Sequence, residues 1–209
     1  MTRQAGFVCG ILAAVALVAL PASAGGDANV LFGQKTLNGS TLDAARVDGQ
    51  SQFGVAVTLD FEWPVALAFD LMTSSDRATT TVTAGTPIDY TTDVETMEFD
   101  VGVRKLWGDR LQPYAGAGLA WLQLDTTQHM SGSLGGGSTF DTLVIDDSNS
   151  TIGYWVNGGL LYRIGARFNV GIDVRYSNAD VSLTPAADPE PVDLGAGGTQ
   201  YAVALGFHW

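Results

Sequence analysis

Tyr201-Ala202-Val203-Ala204-Leu205-Gly206-Phe207-His208-Trp209 closes the chain. Tyr201, Val203, Leu205, Phe207 and Trp209 carry bulk at every second position, and Gln200, Ala202, Ala204, Gly206 and His208 occupy the places between them. Strand side chains point alternately to two faces, so these residues define a strand with one large apolar face and one small or polar face. Such a strand suits either a half-buried sheet or a membrane-spanning barrel with a lipid side and a lumen side. The rest of the chain decides between them.

At the other end, Arg3 precedes an apolar run from Phe7 to Leu20, and Ala22-Ser23-Ala24 supplies the small-x-small pattern of a secretory cleavage site. Residues 1–24 read as a signal peptide and 25–209 as the mature domain, beginning at Gly25. A retained anchor would need about 20 apolar residues, and here Pro21 and the small residues intervene first. Cys9, the sole cysteine, lies in this leader ahead of most of its apolar core, so the mature part has no disulfide, thiol or lipoprotein site. Without Arg3, nine basic residues face 22 acidic ones, a net charge of −13. That balance excludes nucleic acid as a partner. No stretch beyond the leader is continuously apolar for the ~20 residues of a spanning helix.

Period-two alternation marks eight strands, at 28–37, 51–60, 64–73, 94–106, 112–124, 151–163, 167–177 and 199–209. In the clearest, Phe168, Val170, Ile172, Val174 and Tyr176 alternate with Arg167, Asn169, Gly171, Asp173 and Arg175. Phe99, Val101 and Val103 alternate likewise with Glu98, Asp100, Gly102 and Arg104. The first and fifth strands leave their faces open, because Leu31 and Phe32, and Tyr114 and Trp121, put bulk on both sides.

Connections alternate long and short. Long ones fall at 38–50, 74–93, 125–150 and 178–198; tight ones fall at Asp60–Pro64, Gly108-Asp109-Arg110 and Gly165-Ala166. A barrel with short periplasmic turns and long outer loops follows this rule, whereas a sandwich has no reason to gather its long loops at one end. The mature chain therefore resembles the eight-stranded OmpA/OmpW-like outer-membrane β-barrel superfamily, as a barrel alone without a peptidoglycan-binding domain. The final strand resembles the C-terminal assembly signal of such barrels, carried here by Tyr201, Val203, Leu205, Phe207 and Trp209. The resemblance implies an all-β, antiparallel, up-and-down transmembrane barrel in the outer membrane of a Gram-negative cell. It implies a monomer among membrane lipid and lipopolysaccharide, delivered by periplasmic chaperones and inserted by the barrel assembly machinery.

The register sorts the charges. Asp70, Glu98, Asp100 and Asp173 fall on the lumen side with Lys35, Arg104, Arg163, Arg167 and Arg175, an excess of one positive charge. Side chains nearly fill an eight-stranded barrel, so these groups must pair, and the expectation is an ion-pair network that plugs the lumen. The long connections hold 14 acids, among them Asp76, Asp89, Asp93, Glu95, Asp125, Asp141 and Asp147, against Arg46 and Arg77. Trp63, Trp107, Tyr162, Tyr176 and Trp209 fall at strand ends, where aromatic girdles form.

Arg175-Tyr176-Ser177-Asn178 looks like the His-x-Ser-Asn segment of lipid A deacylase barrels. Arg175 replaces the histidine and cannot serve as a base. A non-enzymatic barrel without cofactor is expected. No metal site is expected either, since Asp146-Asp147-Ser148-Asn149 lacks calcium-loop spacing. Two roles stay open: a structural or surface-interacting barrel, and an OmpW-like conduit for small apolar molecules, with Met72, Leu122 and Leu124 as its candidate lumen-facing residues.

Overall fold

The computed structural model describes residues 25–38, 49–84, 86–134, 138–183 and 192–209. The expected signal peptide and Asp43, Arg46, Asp48, Asp188 and Glu190 lie outside the described residues. Those described form ten strands and no helix. Eight of them, β1 (Gly25–Leu37), β2 (Gly49–Asp60), β3 (Ala66–Ala84), β4 (Thr86–Leu106), β5 (Leu111–Leu134), β6 (Ser138–Ile164), β7 (Phe168–Asn178) and β10 (Gly198–His208), close an antiparallel ring. The seam is the terminal strand: β10 pairs with β1 through Phe32↔Val203 and Asp27↔His208, and the backbones of Gly26 and Trp209 exchange two hydrogen bonds. The ring leaves no unpaired strand edge within the membrane, which hydrocarbon would not tolerate.

Faces follow the alternation. Tyr201, Val203, Leu205, Phe207 and Trp209 are exposed on the outer side, while Gln200, Ala202 and Ala204 are buried inside. The open faces resolve the same way: Leu31 and Tyr114 point in, Phe32 and Trp121 out. Trp63, Trp107, Tyr162, Tyr176 and Trp209 are likewise exposed. Short connections at 61–65, 107–110 and 165–167 join strands at the end that carries the termini. Gly108 and Gly165 turn with φ of 81° and 66°, a backbone that residues with a Cβ avoid.

Two expected loops are strand. Residues 74–93 and 125–150, read as long connections, continue the ladders of β3–β4 and β5–β6 out to Ala84↔Thr86 and Leu134↔Ser138. A spanning strand needs about 9–11 residues, so most of the 24 residues of β5 and the 27 of β6 exceed what the membrane requires. A register shift at Gln128/His129 marks an irregularity in this extension. Together β3 to β6 raise a four-stranded wall above one side of the ring.

The hydropathy of the wall is inverted. Within the membrane, Leu71, Phe99, Trp121 and Ile152 form an outward cross-strand row. Two residues further along each strand, the row is Thr73, Met97, Gln123 and Ser150, and two further it is Ser75, Glu95, Asp125 and Ser148. Beyond it the outer face carries Thr79 against Thr91 and Arg77 paired with Asp93, whereas Val82, Ile88, Tyr90, Met130 and Phe140 share the inner face. In the membrane rows apolar bulk faces outward, and on the wall most of it faces inward, with Leu143 an exposed exception on the outer face.

A shorter hairpin, β8 (Asp180–Leu183) with β9 (Val192–Gly195), continues β7 and β10 in unchanged register. Between the two ladders the Ala179 carbonyl accepts from the amides of both Ala196 and Gly197. Ala179 and Ala196 keep the inward alternation of β7 and β10 and pack with Leu37, Val94, Leu122, Leu124 and Trp155 into an apolar layer at the loop end of the lumen.

Candidate functional site in the barrel lumen

Inward positions on the strands place a chain of charges beneath that layer. Lys35 on β1 reaches across to Glu98 on β4, with Nζ 2.9 Å from Oε2. The same oxygen accepts from Gln200 Nε2 at 2.8 Å and Ser177 Oγ at 3.2 Å. Toward the termini, the Arg175 guanidinium contacts both Asp70 and Asp100 and lies 5.0 Å over the Trp155 ring. Arg104 donates to Asp70 Oδ2 and to Thr58 Oγ1, each at 2.7 Å. Asp173 accepts from Tyr114 Oη at 2.6 Å and Asn157 Nδ2 at 2.9 Å. On the loop side of the ion pairs, Ser74 and Thr96 bond to Gln50, whose amide donates to the Val94 carbonyl.

Small residues make the room. Gly159 stands opposite Tyr114 in the β5–β6 ladder, and a Cβ there would fall 2.4 Å from the Tyr114 ring and hydroxyl. A Cβ on Gly118 would fall 2.9 Å from Trp155 Nε1. Two large aromatic side chains thus lie inside a narrow barrel because their neighbours have no side chain. Each then supplies a π-face to a buried guanidinium, Tyr114 to Arg104 at 5.3 Å and Trp155 to Arg175. A gap lined by Asn29, Thr58, Arg104, Tyr114 and Asp173 is no larger than about one water molecule.

Of the nine residues expected in the lumen, seven are buried: Lys35 pairs with Glu98, and Arg175 and Arg104 gather Asp70, Asp100 and Asp173 into a separate cluster. Arg163 is partly exposed near the termini, 3.7 Å from Asp27. Arg167 is a correction: it is exposed, because the Gly165 turn takes three residues and β7 begins only at Phe168. Asp27 was not anticipated; it is 3% exposed and accepts from Asn169 Nδ2 at 2.8 Å. These two changes reverse the sign of the lumen, from one excess positive charge to one excess negative charge. Asn157, Asn169, Gln50, Gln52 and Gln200 also join the network, and their alternation with outward apolar residues was a usable signal. Ser177, next to last in β7, is fully buried beside Glu98. Met72, Leu122 and Leu124 do face the lumen.

A closed ring of eight antiparallel strands with an apolar belt outside and a buried ionic interior defines a β-barrel that spans a membrane. The chain belongs to the family described as outer membrane protein beta-barrel domain, whose profile matches residues 10–208. Its place is therefore the bacterial outer membrane. No curated protein sequence matches it. Among solved structures it is similar to the outer membrane protein OprG from Pseudomonas aeruginosa, at 14% identity and a TM-score of 0.57, over 90% of this chain and 96% of that one. It is also similar to Ail, the attachment invasion locus protein of Yersinia pestis, in complex with the heparin analogue sucrose octasulfate. That match has 12% identity and a TM-score of 0.50, over 90% of this chain and 99% of that one.

Proposed function

We propose that this chain is a non-enzymatic outer-membrane barrel whose plugged lumen makes it a rigid anchor for tall, acidic structures at the cell surface. The observation that carries this reading is the bridge from Lys35 to Glu98, with Arg175 below it held between Asp70 and Asp100. Ion pairs across the lumen, beneath the apolar layer of Leu122, Leu124 and Val94, support a plug against hydrated ions. The partners expected are lipid and lipopolysaccharide around the monomer, with assembly machinery reading the last strand. Ail was solved with a sulfated polyanion; the outer wall face here carries Asp89, Asp93, Glu95, Asp125 and Asp141, which repel such a ligand. Single-channel recording of the refolded protein in planar bilayers tests the plug: silence is expected, and discrete conductance steps at neutral pH would overturn it.

One observation favours a conduit as the second reading. Met72, Leu122 and Leu124 line the loop end of the lumen, so a small apolar molecule entering there would meet an apolar surface and then the ionic layer. Passage would have to be sideways into the membrane. Uptake of an apolar solute by vesicles holding the protein, without ion conductance, would support it. Against a hydrolytic role, Arg175 stands where the deacylase-like segment would need its histidine, and Glu98, the carboxylate that Ser177 bonds to, is already held by Lys35 and Gln200. Lipid A from cells with and without the protein is expected to have identical mass spectra.

A further inference from the structure

Seven charged side chains, each at most 4% exposed, share the closed part of the lumen: Asp70, Glu98, Asp100 and Asp173 against Lys35, Arg104 and Arg175. Asp27 and Arg163 form a separate pair nearer the termini and cancel. One negative charge is thus left without a counter-charge, in a compartment where an uncompensated ion is strongly disfavoured and a group neutralises instead.

The hydrogen bonds show where the excess lies. Glu98 is held by Lys35, Gln200 and Ser177, Asp173 by Tyr114 and Asn157, and Asp70 by two arginines. Among the described residues Asp100 has one hydrogen-bonding partner, Arg175, which it shares with Asp70. Its Oδ1 is buried with no partner among the described residues, as are Asp70 Oδ1 and Glu98 Oε1, but the second oxygen of Asp70 has two donors and that of Glu98 three. The two aspartates are also direct cross-strand partners on the lumen face, a placement in which like charges repel.

We propose that Asp70 and Asp100 together retain one proton at neutral pH, lodged on Asp100, so that the buried cluster is electrically neutral. The groups around the pair agree from every side. β1 presents Lys35, committed to Glu98, and β7 presents Arg175 and Asp173; β4 adds Arg104 and Glu98, and β5 adds Tyr114. β2, β6 and β10 offer Thr58, Trp155, Asn157 and Gln200, none of them charged. His208 stands opposite Asp27 at the far end of the ladder. The inference rests on a lumen closed to bulk ions, and it makes the plug a proton-bound element.

Infrared spectra of the barrel refolded in detergent, in H2O and D2O at neutral pH, test this directly. The expected result is the carbonyl stretch of a protonated carboxyl that shifts in D2O and vanishes in Asp100→Asn. Absence of the band in the unaltered protein overturns the proposal, and so does its persistence in both Asp100→Asn and Asp70→Asn. Stability that falls when sodium is replaced by a bulky organic cation also overturns it, by placing a metal cation in the role given to the proton. If Asp100→Asn fails to form the heat-modifiable barrel, Asp70→Asn and the spectrum of the unaltered protein still decide. A conducting bilayer with the band present would remove the closed-lumen reading alone.

Discussion

Asp70 and Asp100 are paired in the β3–β4 ladder, and both carboxylates close on the single guanidinium of Arg175. Arg175 is consequently the least replaceable charge in the barrel. Arg175→Met removes it while leaving the two carboxylates buried, which costs about 3–5 kcal/mol. Urea unfolding in lipid vesicles, followed by the gel mobility of unboiled samples, should show that loss; a loss below about 1 kcal/mol would mean that the network contributes little.

Gly159→Ala places a methyl group 2.4 Å from the Tyr114 hydroxyl and 2.3 Å from the Ile172 carbonyl. The ring must leave its site and give up the 2.6 Å bond to Asp173. Overpacking of this kind costs about 1–3 kcal/mol. Gly158→Ala, one position along, meets only the Tyr114 carbonyl at 3.5 Å and should be nearly neutral in the same unfolding measurement.

The hydropathy inversion assigns opposite outcomes to one substitution on one face of the sheet. Leu119→Arg puts a charge on the lipid side of β5, a loss of about 2–4 kcal/mol near the bilayer midplane. Thr127→Arg, on the same strand and face but above the polar row, should stay within about 0.5 kcal/mol. Equal effects at the two sites would contradict the placement of the membrane boundary.

Replacing both Phe207 and Trp209 by Ala leaves the backbone bonds of Trp209 to Gly26 in place. The refolded variant should keep its heat-modifiable shift, while its amount in outer membranes of cells falls severalfold. Equal loss in both assays would give these residues a structural role instead of one in assembly.

Legibility in the sequence followed lipid. Where hydrocarbon enforces apolar-out alternation, strands could be read from the residues, and their faces too, except on the first and fifth, where bulk stands on both sides. Above the membrane that constraint ends: Thr79, Thr81, Asp89 and Thr91 occupy the outward positions, and a run rich in Thr, Ser, Gly and Asp reads as a loop. The ladder there is held by cross-strand bonds such as Thr81 to Asp89 at 2.6 Å, for which composition gives no warning. In the lumen, the charged residues could be read from their alternation. Arg167 was misplaced because a turn boundary moved by one residue, and Asp27 lay just ahead of the first strand as it was read.

The rows from Leu71–Phe99–Trp121–Ile152 to Ser75–Glu95–Asp125–Ser148 work as a built-in depth gauge. They fix the draught at which the molecule floats in its bilayer, with Trp63, Trp107 and Trp209 as the mark at the opposite waterline. Adding a residue pair to β4 between Glu95 and Phe99 would keep every side chain on its face and still raise the float line on one flank. The barrel would have to list, or the lipid beside it to thicken, so bilayers of different acyl length should reveal the designed thickness as the one in which it folds fastest.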